Sequence, residues 1–126
     1  MGTICFVILN YKTWREAAAC AESILKTQQG QDIRIVLVDN GSGNGSEESL
    51  REEFAGEKRV HVIASEKNLG FARGNNLGIR YARSHFEPDF IVAANSDIIF
   101  EQEDYCEKLR EIYKEERFDI LGGDIV

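Results

Sequence analysis

Short runs of apolar and β-branched residues, each followed by a segment with helical periodicity, limit what this chain can fold into. Residues 3–9 (T-I-C-F-V-I-L) and 33–38 (I-R-I-V-L-V) are such runs, and both break at polar loops. A strand that is apolar along its whole length is typical of a parallel sheet covered on both faces. The pattern therefore predicts an α/β fold with a mostly parallel sheet and helices on both faces.

The same alternation continues along the sequence. Further strands are predicted at 60–63, 89–94 and 120–126, and helices at 13–30, 71–84 and 101–117. Thr13 followed by Glu16 has the spacing of a helix capping box, and Ser46 is suited to cap a short helix that carries Leu50. The length of 126 residues fits one domain, which we expect to span 1–126.

Composition and charge exclude several classes of partner. No apolar run approaches the roughly 20 residues that cross a bilayer, so no transmembrane segment is expected. Fifteen basic against 22 acidic side chains give a formal net charge of −7, and nucleic acid is therefore not an expected partner. Because no secretory signal is apparent, we expect a cytoplasmic protein, at most peripheral at the inner face of the membrane in its full-length form.

The cysteines and histidines do not show the spacing of a metal site. Cys5, Cys20 and Cys106 are an odd number of thiols without a C-x-x-C pair, and each falls within an apolar pattern. We interpret them as small buried hydrophobic residues in a reducing compartment, not as zinc ligands. His61 and His85 lack partners at a suitable spacing and are interpreted as structural or solvated.

Three polar loops follow predicted strands, at 10–12, 39–44 and 95–97. Because ligands of parallel α/β sheets bind beyond the carboxyl ends of the strands, we expect these loops to converge on one cleft. The carboxylate of Asp39 could accept hydrogen bonds from the N–H groups of a base or from ribose hydroxyls. A plain turn at Asp39 and Asn40 is the alternative.

The tripeptide Asn95-Ser96-Asp97 interrupts two apolar runs and leaves one carboxylate at the end of a buried strand. Mg²⁺ and Mn²⁺ prefer such oxygen ligands, and a cation here could bridge Asp97 to a diphosphate. A simple turn built on the tripeptide is the alternative.

Glycines at positions 70, 74 and 78 lie four residues apart, so on a helix they would line one face. A close approach to a strand or a ligand is one explanation of this face. The alternative is a phosphate site at the helix N-terminus near Gly70, with Lys67 and Arg73 adding positive charge.

Four segments together resemble family 2 of the glycosyltransferases, and its rhamnosyltransferase-like branch in particular. They are I-L-N-Y at 8–11, L-V-D-N-G-S at 37–42, N-L-G-F-A-R-G-N-N-L-G at 68–78 and A-N-S-D-I at 94–98. The resemblance covers almost the whole chain in the order of the family. It implies the Rossmann-like GT-A fold of nucleotide-diphospho-sugar transferases, here truncated to its N-terminal, nucleotide-binding half.

The resemblance also implies roles for individual residues. The nucleotide sugar would be held by Asn10, Tyr11, Asp39, Asn40, Asn68, Gly70, Phe71, Asn75 and Ser96. Asp97 would bind a divalent cation, Mg²⁺ or Mn²⁺. Many members of the family have two acids in a D-x-D motif at this place, whereas Asn95 takes the first position here and leaves one charged ligand.

The reaction implied is the metal-assisted, inverting transfer of a sugar from a nucleoside-diphosphate donor to the hydroxyl of a glycan or lipid-linked acceptor, in polysaccharide or cell-surface glycan synthesis. Family members carry the catalytic base further downstream, so no catalytic base is expected within this chain and turnover should be slow or absent. The alternative is a non-catalytic nucleotide-binding or interaction module, and a homodimer is conceivable because apolar surface after Val126 would be exposed.

Overall fold

Strands and helices alternate along the chain in the computed structural model, which describes residues 3–116 and 120–122. The elements are β1 (Ile4–Asn10), α1 (Trp14–Thr27), β2 (Ile33–Asn40), α2 (Ser46–Glu53), β3 (Val60–Ser65), α3 (Phe71–Phe86), β4 (Phe90–Asn95), α4 (Tyr105–Glu116) and β5 (Ile120–Gly122). The predicted α/β alternation is confirmed. Residues 123–126 of the predicted last strand lie outside the described residues.

The sheet is parallel throughout the described strands and has the order β3-β2-β1-β4-β5. The central strand, β1, pairs with β2 on one side and with β4 on the other. Asn10 is aligned with Asp39 of β2, and Leu9 is aligned with Asn95 of β4. The carboxyl ends of these three strands therefore end at one edge of the sheet.

Helices cover both faces of the sheet, as predicted. On one face, Phe6 and Leu37 pack in a core with Ile24 of α1, Leu50 of α2 and Tyr105 of α4. The opposite face packs against α3 through a smaller core that contains Val7, Val38 and Ala82. Successive strand residues point to opposite faces, so an unbroken apolar strand supplies both cores at once.

Two of the three regularly spaced glycines allow α3 to lie close to the sheet. A Cβ atom on Gly78 would lie 2.5 Å from Cγ1 of Val7 and 2.8 Å from Cγ2 of Val38. A Cβ atom on Gly74 would lie 2.7 Å from Cδ1 of Leu9. The close-packing interpretation is confirmed for these two, but Gly70 precedes the helix at φ +84° with open space around it.

Both capping predictions were wrong in detail. Thr13 is the N-cap of α1 but makes no side-chain capping bond. It donates from its backbone N–H instead, to Oδ1 of Asn10 at 3.1 Å. Ser46 is the first residue of α2, Gly45 is the N-cap, and Asn44 accepts the backbone N–H of Ser46 at 3.2 Å. In each case the hydroxyl of the expected cap residue donates to an asparagine before the helix, from Thr13 to Asn10 and from Ser46 to Asn44.

All three cysteines are free and buried, as predicted. Desolvation by burial is the largest cause that raises the pKa of the Cys5, Cys20 and Cys106 thiols from 9.0 to about 12. A thiol with so high a pKa carries almost no thiolate, the reactive species, at neutral pH.

We therefore expect the folded protein to react with none of its three thiols when treated with Ellman's reagent at pH 8, and with all three in denaturant. The same shift makes stability fall as the pH rises above 9, because thiols of the unfolded chain ionise there while buried thiols stay protonated. Thiol titration with and without urea is the measurement. Rapid reaction of one thiol in the absence of urea would contradict this burial.

Candidate functional site

Asp39, the last residue but one of β2, is almost fully buried, at 4% exposure. Its Oδ1 accepts two hydrogen bonds, from Nδ2 of Asn10 at 3.0 Å and from Oγ of Ser42 at 2.5 Å. Among the described residues no group donates to the other oxygen, Oδ2, and Asp39 lines a cavity. One oxygen of the carboxylate is thus fixed and the other is available to a ligand.

Lys12 connects β1 to α1 in a left-handed conformation, with φ +63°, which is uncommon for a residue other than glycine. Its backbone N–H donates to Oγ of Ser42 at 2.7 Å. Tyr11, just before it, is 42% exposed, and the Lys12 ammonium lies 5.3 Å from its ring centroid. Because Ser42 also bonds Asp39, one hydroxyl links the loop after β1 to the loop after β2.

Asn40 points to the opposite face of the sheet from Asp39 and is 3% exposed. Its Nδ2 donates to Oδ1 of Asn68 at 3.1 Å and to the carbonyl oxygen of Gly70 at 3.2 Å. Its Oδ1 accepts the backbone N–H of Leu69 at 3.0 Å. The side chain is fully engaged in holding the loop before α3, so its expected part in the site is to shape that loop.

The loops after β2 and β3 touch through their backbones. Gly41 has φ +69°, and a Cβ atom there would lie 2.2 Å from the carbonyl carbon of Lys67 and 2.4 Å from the backbone nitrogen of Asn68. Only glycine leaves room for this contact. The two loops therefore form one continuous wall.

The first cavity, of about 600 Å³, lies between these two loops and α2. It is lined by Asp39, Gly41, Gly43, Gly45, Ser46, Glu47, Glu48, Ser65 and Glu66. The hydroxyls of Ser46 and Ser65 donate to Asn44 and to the carbonyl oxygen of Lys67. The side chains of this cavity therefore offer mainly hydrogen-bond acceptors, which suit the N–H groups of a base and ribose hydroxyls.

The second cavity, of about 350 Å³, lies beyond the ends of β1 and β4. It is lined by Leu9, Tyr11, Thr13, Glu16, Phe71, Asn95, Ser96 and Asp97. Asp97 is exposed on a turn that is closed by a 3.1 Å hydrogen bond from Ile98 N–H to the Asn95 carbonyl. The ring of Phe71 is 66% exposed beside it.

Asp97 could bind a divalent cation only together with a ligand that supplies further oxygen atoms. Among the described residues there is no group of three or more histidine, cysteine and acidic side chains that could hold a metal ion by themselves. An exposed carboxylate beside a hydroxyl is nevertheless the kind of site at which Mg²⁺ or Mn²⁺ binds together with phosphate oxygens. The residues present are therefore compatible with a cation that a diphosphate brings with it.

Asp39 and Asp97 lie at the same edge of the sheet, as expected, but not in one cleft. They line two different cavities, because β1 lies between β2 and β4. Two strand spacings separate their strands by roughly 10 Å. A single ligand would have to extend across the end of β1 to contact both.

Comparison with known proteins shows the family to which the chain is similar. Residues 5–126 match the family described as Glycosyl transferase family 2.

The chain belongs to glycosyltransferase family 2.

Named relatives and solved structures agree with this membership. The chain is 33% identical over 121 residues to Glycosyltransferase GlyG of Streptococcus pneumoniae serotype 4, covering 96% of the chain and 38% of that protein. It is 28% identical over 126 residues to the Low-salt glycan biosynthesis hexosyltransferase Agl10 of Haloferax volcanii, covering all of the chain and 38% of that protein. The family 2 chain thus spans little more than a third of these relatives.

Two solved structures share the fold. The S. aureus TarS 1–349 structure in complex with UDP-GlcNAc has a TM-score of 0.72 at 17% identity, covering 90% of this chain and 31% of that one. The mannosyltransferase PcManGT from Pyrobaculum calidifontis, in complex with GDP-Man and Mn²⁺, has a TM-score of 0.67 at 15% identity, covering 82% and 30%. The expected GT-A fold is confirmed.

The remaining predicted residues of this family 2 chain are not among those that line the first or the second cavity; they are Asn10, Asn68, Gly70 and Asn75. Asn10 is wholly buried and bonds Asp39, and the side chain of Asn68 accepts the Gly70 backbone N–H at 2.8 Å. Asn75, in α3, is 8% exposed, and its Oδ1 is buried with no hydrogen-bond partner among the described residues. Asn75 is not among the residues that line either cavity.

The histidines lie away from both cavities, as interpreted. The ring of His61 on β3 packs 4.8 Å from that of Phe86, and His85 stacks on Tyr81 at 3.8 Å. Desolvation by burial is the largest cause that lowers the pKa of His61 below its usual value. A neutral His61 ring that packs against Phe86 has a structural role.

Ser42, Gly41 and Glu16 belong to this site but were not among the residues predicted from the sequence. Ser42 links two loops through Asp39, Gly41 allows the loop contact, and Glu16 lines the second cavity with Asp97. A signal for Ser42 was its place in the polar loop that follows Asp39, which puts both residues at the same edge of the sheet. No local pattern marks Glu16, which reaches the cavity through the position of α1.

In the described part of the chain, no helix has both the length and the apolarity needed to cross a membrane.

Proposed function

We propose that residues 1–126 form one nucleotide-sugar-binding domain that holds the donor of a glycosyltransferase. The observation that carries this proposal is the carboxylate of Asp39, fixed at one oxygen by Asn10 and Ser42 and open to a cavity at the other. The nucleoside binds against that oxygen. Its diphosphate crosses the end of β1 and reaches Ser96 and Asp97 in the second cavity.

The chemistry of each cavity supports this orientation. Acceptor side chains line the first cavity, which suits the hydrogen-bond donors of a base and of ribose. The negative charges of Glu47, Glu48 and Glu66 would repel a phosphate group there. The second cavity has the exposed rings of Tyr11 and Phe71 beside the carboxylates of Glu16 and Asp97. Aromatic faces of this kind pack against the apolar face of a sugar ring or a base.

A divalent cation would be held by Asp97 and by oxygens of the diphosphate, with Ser96 beside them. When bound, such a cation neutralises the negative charge that develops on the departing nucleoside diphosphate. The Mn²⁺ present in the PcManGT complex supports the use of a cation in this fold. Asn95 in place of an acid leaves this chain with one carboxylate at the motif, so its affinity for free cation should be low.

The proposed reaction is inverting transfer of the sugar to a hydroxyl of a glycan or lipid-linked acceptor, in polysaccharide or cell-surface glycan synthesis. Agl10 is named as a hexosyltransferase of glycan biosynthesis, which supports this class of acceptor. Removal of the acceptor proton is assigned to a base outside residues 1–126, as the resemblance implies.

The proposed cytoplasmic location rests on the three free, buried thiols. The homodimer stays a prediction.

The test of this proposal is calorimetry of the chain with UDP, GDP and dTDP, each with and without MnCl₂. We expect one nucleotide to bind more tightly with Mn²⁺, and Asp97→Ala to remove that gain while the metal-free affinity stays unchanged. A charge-assisted contact contributes about 1.5–3 kcal/mol, so the gain should be roughly tenfold to a hundredfold.

Glu101→Ala is the matched control, because it also removes one exposed carboxylate from the segment after β4 but does not line either cavity. It should keep the metal-dependent gain. Binding that is equal with and without Mn²⁺, or no binding of any of the nucleotides, would favour a non-catalytic interaction module instead.

A further inference from the structure

The segment between β4 and α4, residues 96–104, carries Ser96 and Asp97 but contains no strand or helix. One backbone hydrogen bond, from Ile98 N–H to the Asn95 carbonyl, closes the turn itself. Phe100 is buried at 5% exposure and packs edge-on against Phe6, with ring centroids 5.5 Å apart. Its backbone N–H is therefore out of reach of water and requires a partner within the protein.

That partner is Ser23, on the buried face of α1. The Phe100 N–H donates to Oγ of Ser23 at 2.8 Å, and the same hydroxyl donates to the Cys20 carbonyl at 2.6 Å. The thiol of Cys20 lies 3.8 Å from the carbonyl oxygen of Asn95. One turn of α1 thus contacts the chain at Asn95, before Asp97, and at Phe100, after it.

A second anchor lies at Gln28, the C-cap residue of α1. Gln28 is wholly buried; its Nε2 donates to the Gln102 carbonyl at 2.7 Å and its Oε1 accepts the Cys106 N–H at 3.1 Å. The amide therefore bonds the segment on one side and the first turn of α4 on the other. A buried polar side chain is unfavourable unless its bonds are made, and here each polar atom is bonded to this part of the chain.

We propose that Ser23 and Gln28 are positioning residues for Asp97. Hydrogen bonds at Phe100 and Gln102 hold the short connection from Asn95 in one conformation, with the Asp97 carboxylate at the second cavity. The segment therefore loses little conformational entropy when the ligand binds. This role rests on the proposed function, because holding Asp97 in place matters only for binding the cation and the diphosphate.

The experiment compares Ser23→Ala and Gln28→Met with the unaltered chain, by nucleotide calorimetry with and without Mn²⁺. Changes to residues that orient a metal ligand typically reduce metal affinity about 10- to 100-fold. We expect the Mn²⁺-dependent gain to fall by about tenfold in both variants. The metal-free affinity should not change, because the first cavity lies on the far side of β1. Ser23→Thr keeps the hydroxyl and should restore the gain.

Ile24→Val controls for a general loss of stability, since Ile24 is a wholly buried residue of α1 that makes no side-chain hydrogen bond to the segment. Amide hydrogen exchange at Phe100 gives a second measurement that needs no nucleotide, and it should accelerate in Ser23→Ala but not in Ile24→Val.

Three outcomes separate the possibilities. A reduced gain in Ser23→Ala and Gln28→Met, with Ile24→Val near the unaltered chain, supports the inference. An unaltered chain whose binding shows no metal dependence contradicts the proposed function, and this inference falls with it. A metal-dependent gain that both variants keep at the level of Ile24→Val overturns the positioning role alone.

Discussion

Gly41→Ala is expected to destabilise the chain by more than about 4 kcal/mol, a large part of the 5–15 kcal/mol that stabilises a typical domain. Two effects combine. The left-handed backbone at φ +69° costs a side-chain-bearing residue about 1–2 kcal/mol. The new methyl group would also overlap backbone atoms of Lys67 and Asn68, at 2.2 and 2.4 Å, and no change of side-chain conformation can relieve a clash with backbone.

Urea unfolding followed by circular dichroism measures this loss, and Gly43→Ala is its control. Gly43 has nearly the same backbone, at φ +66°, but nothing lies within 4 Å of a Cβ atom there. It should lose only the conformational part, about 1–2 kcal/mol. Equal losses for the two variants would show that the loops after β2 and β3 do not touch in solution.

Asp39→Asn is expected to weaken nucleotide binding by roughly tenfold to a hundredfold while leaving the fold intact. The amide oxygen can take the place of Oδ1 and keep the bonds from Asn10 and Ser42. The group that faces the first cavity then changes from a charged acceptor to an NH₂ donor. A ligand N–H or hydroxyl that bonded to the carboxylate loses its partner.

Calorimetry and thermal melting together test this prediction, because binding should change while the melting temperature moves by less than about 5 °C. Asp89→Asn makes the same chemical change at an exposed carboxylate before β4, and should leave nucleotide affinity unchanged. If Asp39→Asn binds nucleotide as well as the unaltered chain, the free oxygen of Asp39 is not where the nucleoside lies.

Much of the fold was predictable from local patterns. The apolar runs at 3–9 and 33–38 predicted parallel strands with both faces covered, because a side chain on either face of such a strand is removed from water. The close packing of Gly74 and Gly78 was one of the two explanations that their spacing allowed, since residues four apart share one face of a helix. The helix caps were predicted less well, because the Thr13 and Ser46 hydroxyls donate to Asn10 and Asn44 instead of capping a helix.

Part of the candidate site was predictable for a similar reason. Asp39 and Asp97 each follow a buried strand, and in a parallel sheet this is enough to place both at one edge. Their separation into two cavities was not predictable, because it depends on β1 lying between their strands. Sequence order places β2 directly after β1 but does not fix on which side of β1 the fourth strand lies.

Local patterns were enough to predict the alternation of strands and helices, the edge at which the polar loops gather and the family to which the chain is similar. Each of these depends on residues that are neighbours along the chain or recur at a fixed spacing. The folded structure was needed to show that Ser42 fixes Asp39, that Gly41 lies on the backbone of the next loop and that Ser23 bonds Phe100, 77 residues away. Such contacts join segments that only the packing of the whole sheet brings together. A hydrogen bond or close approach between residues so far apart along the chain produces no periodic pattern in the sequence.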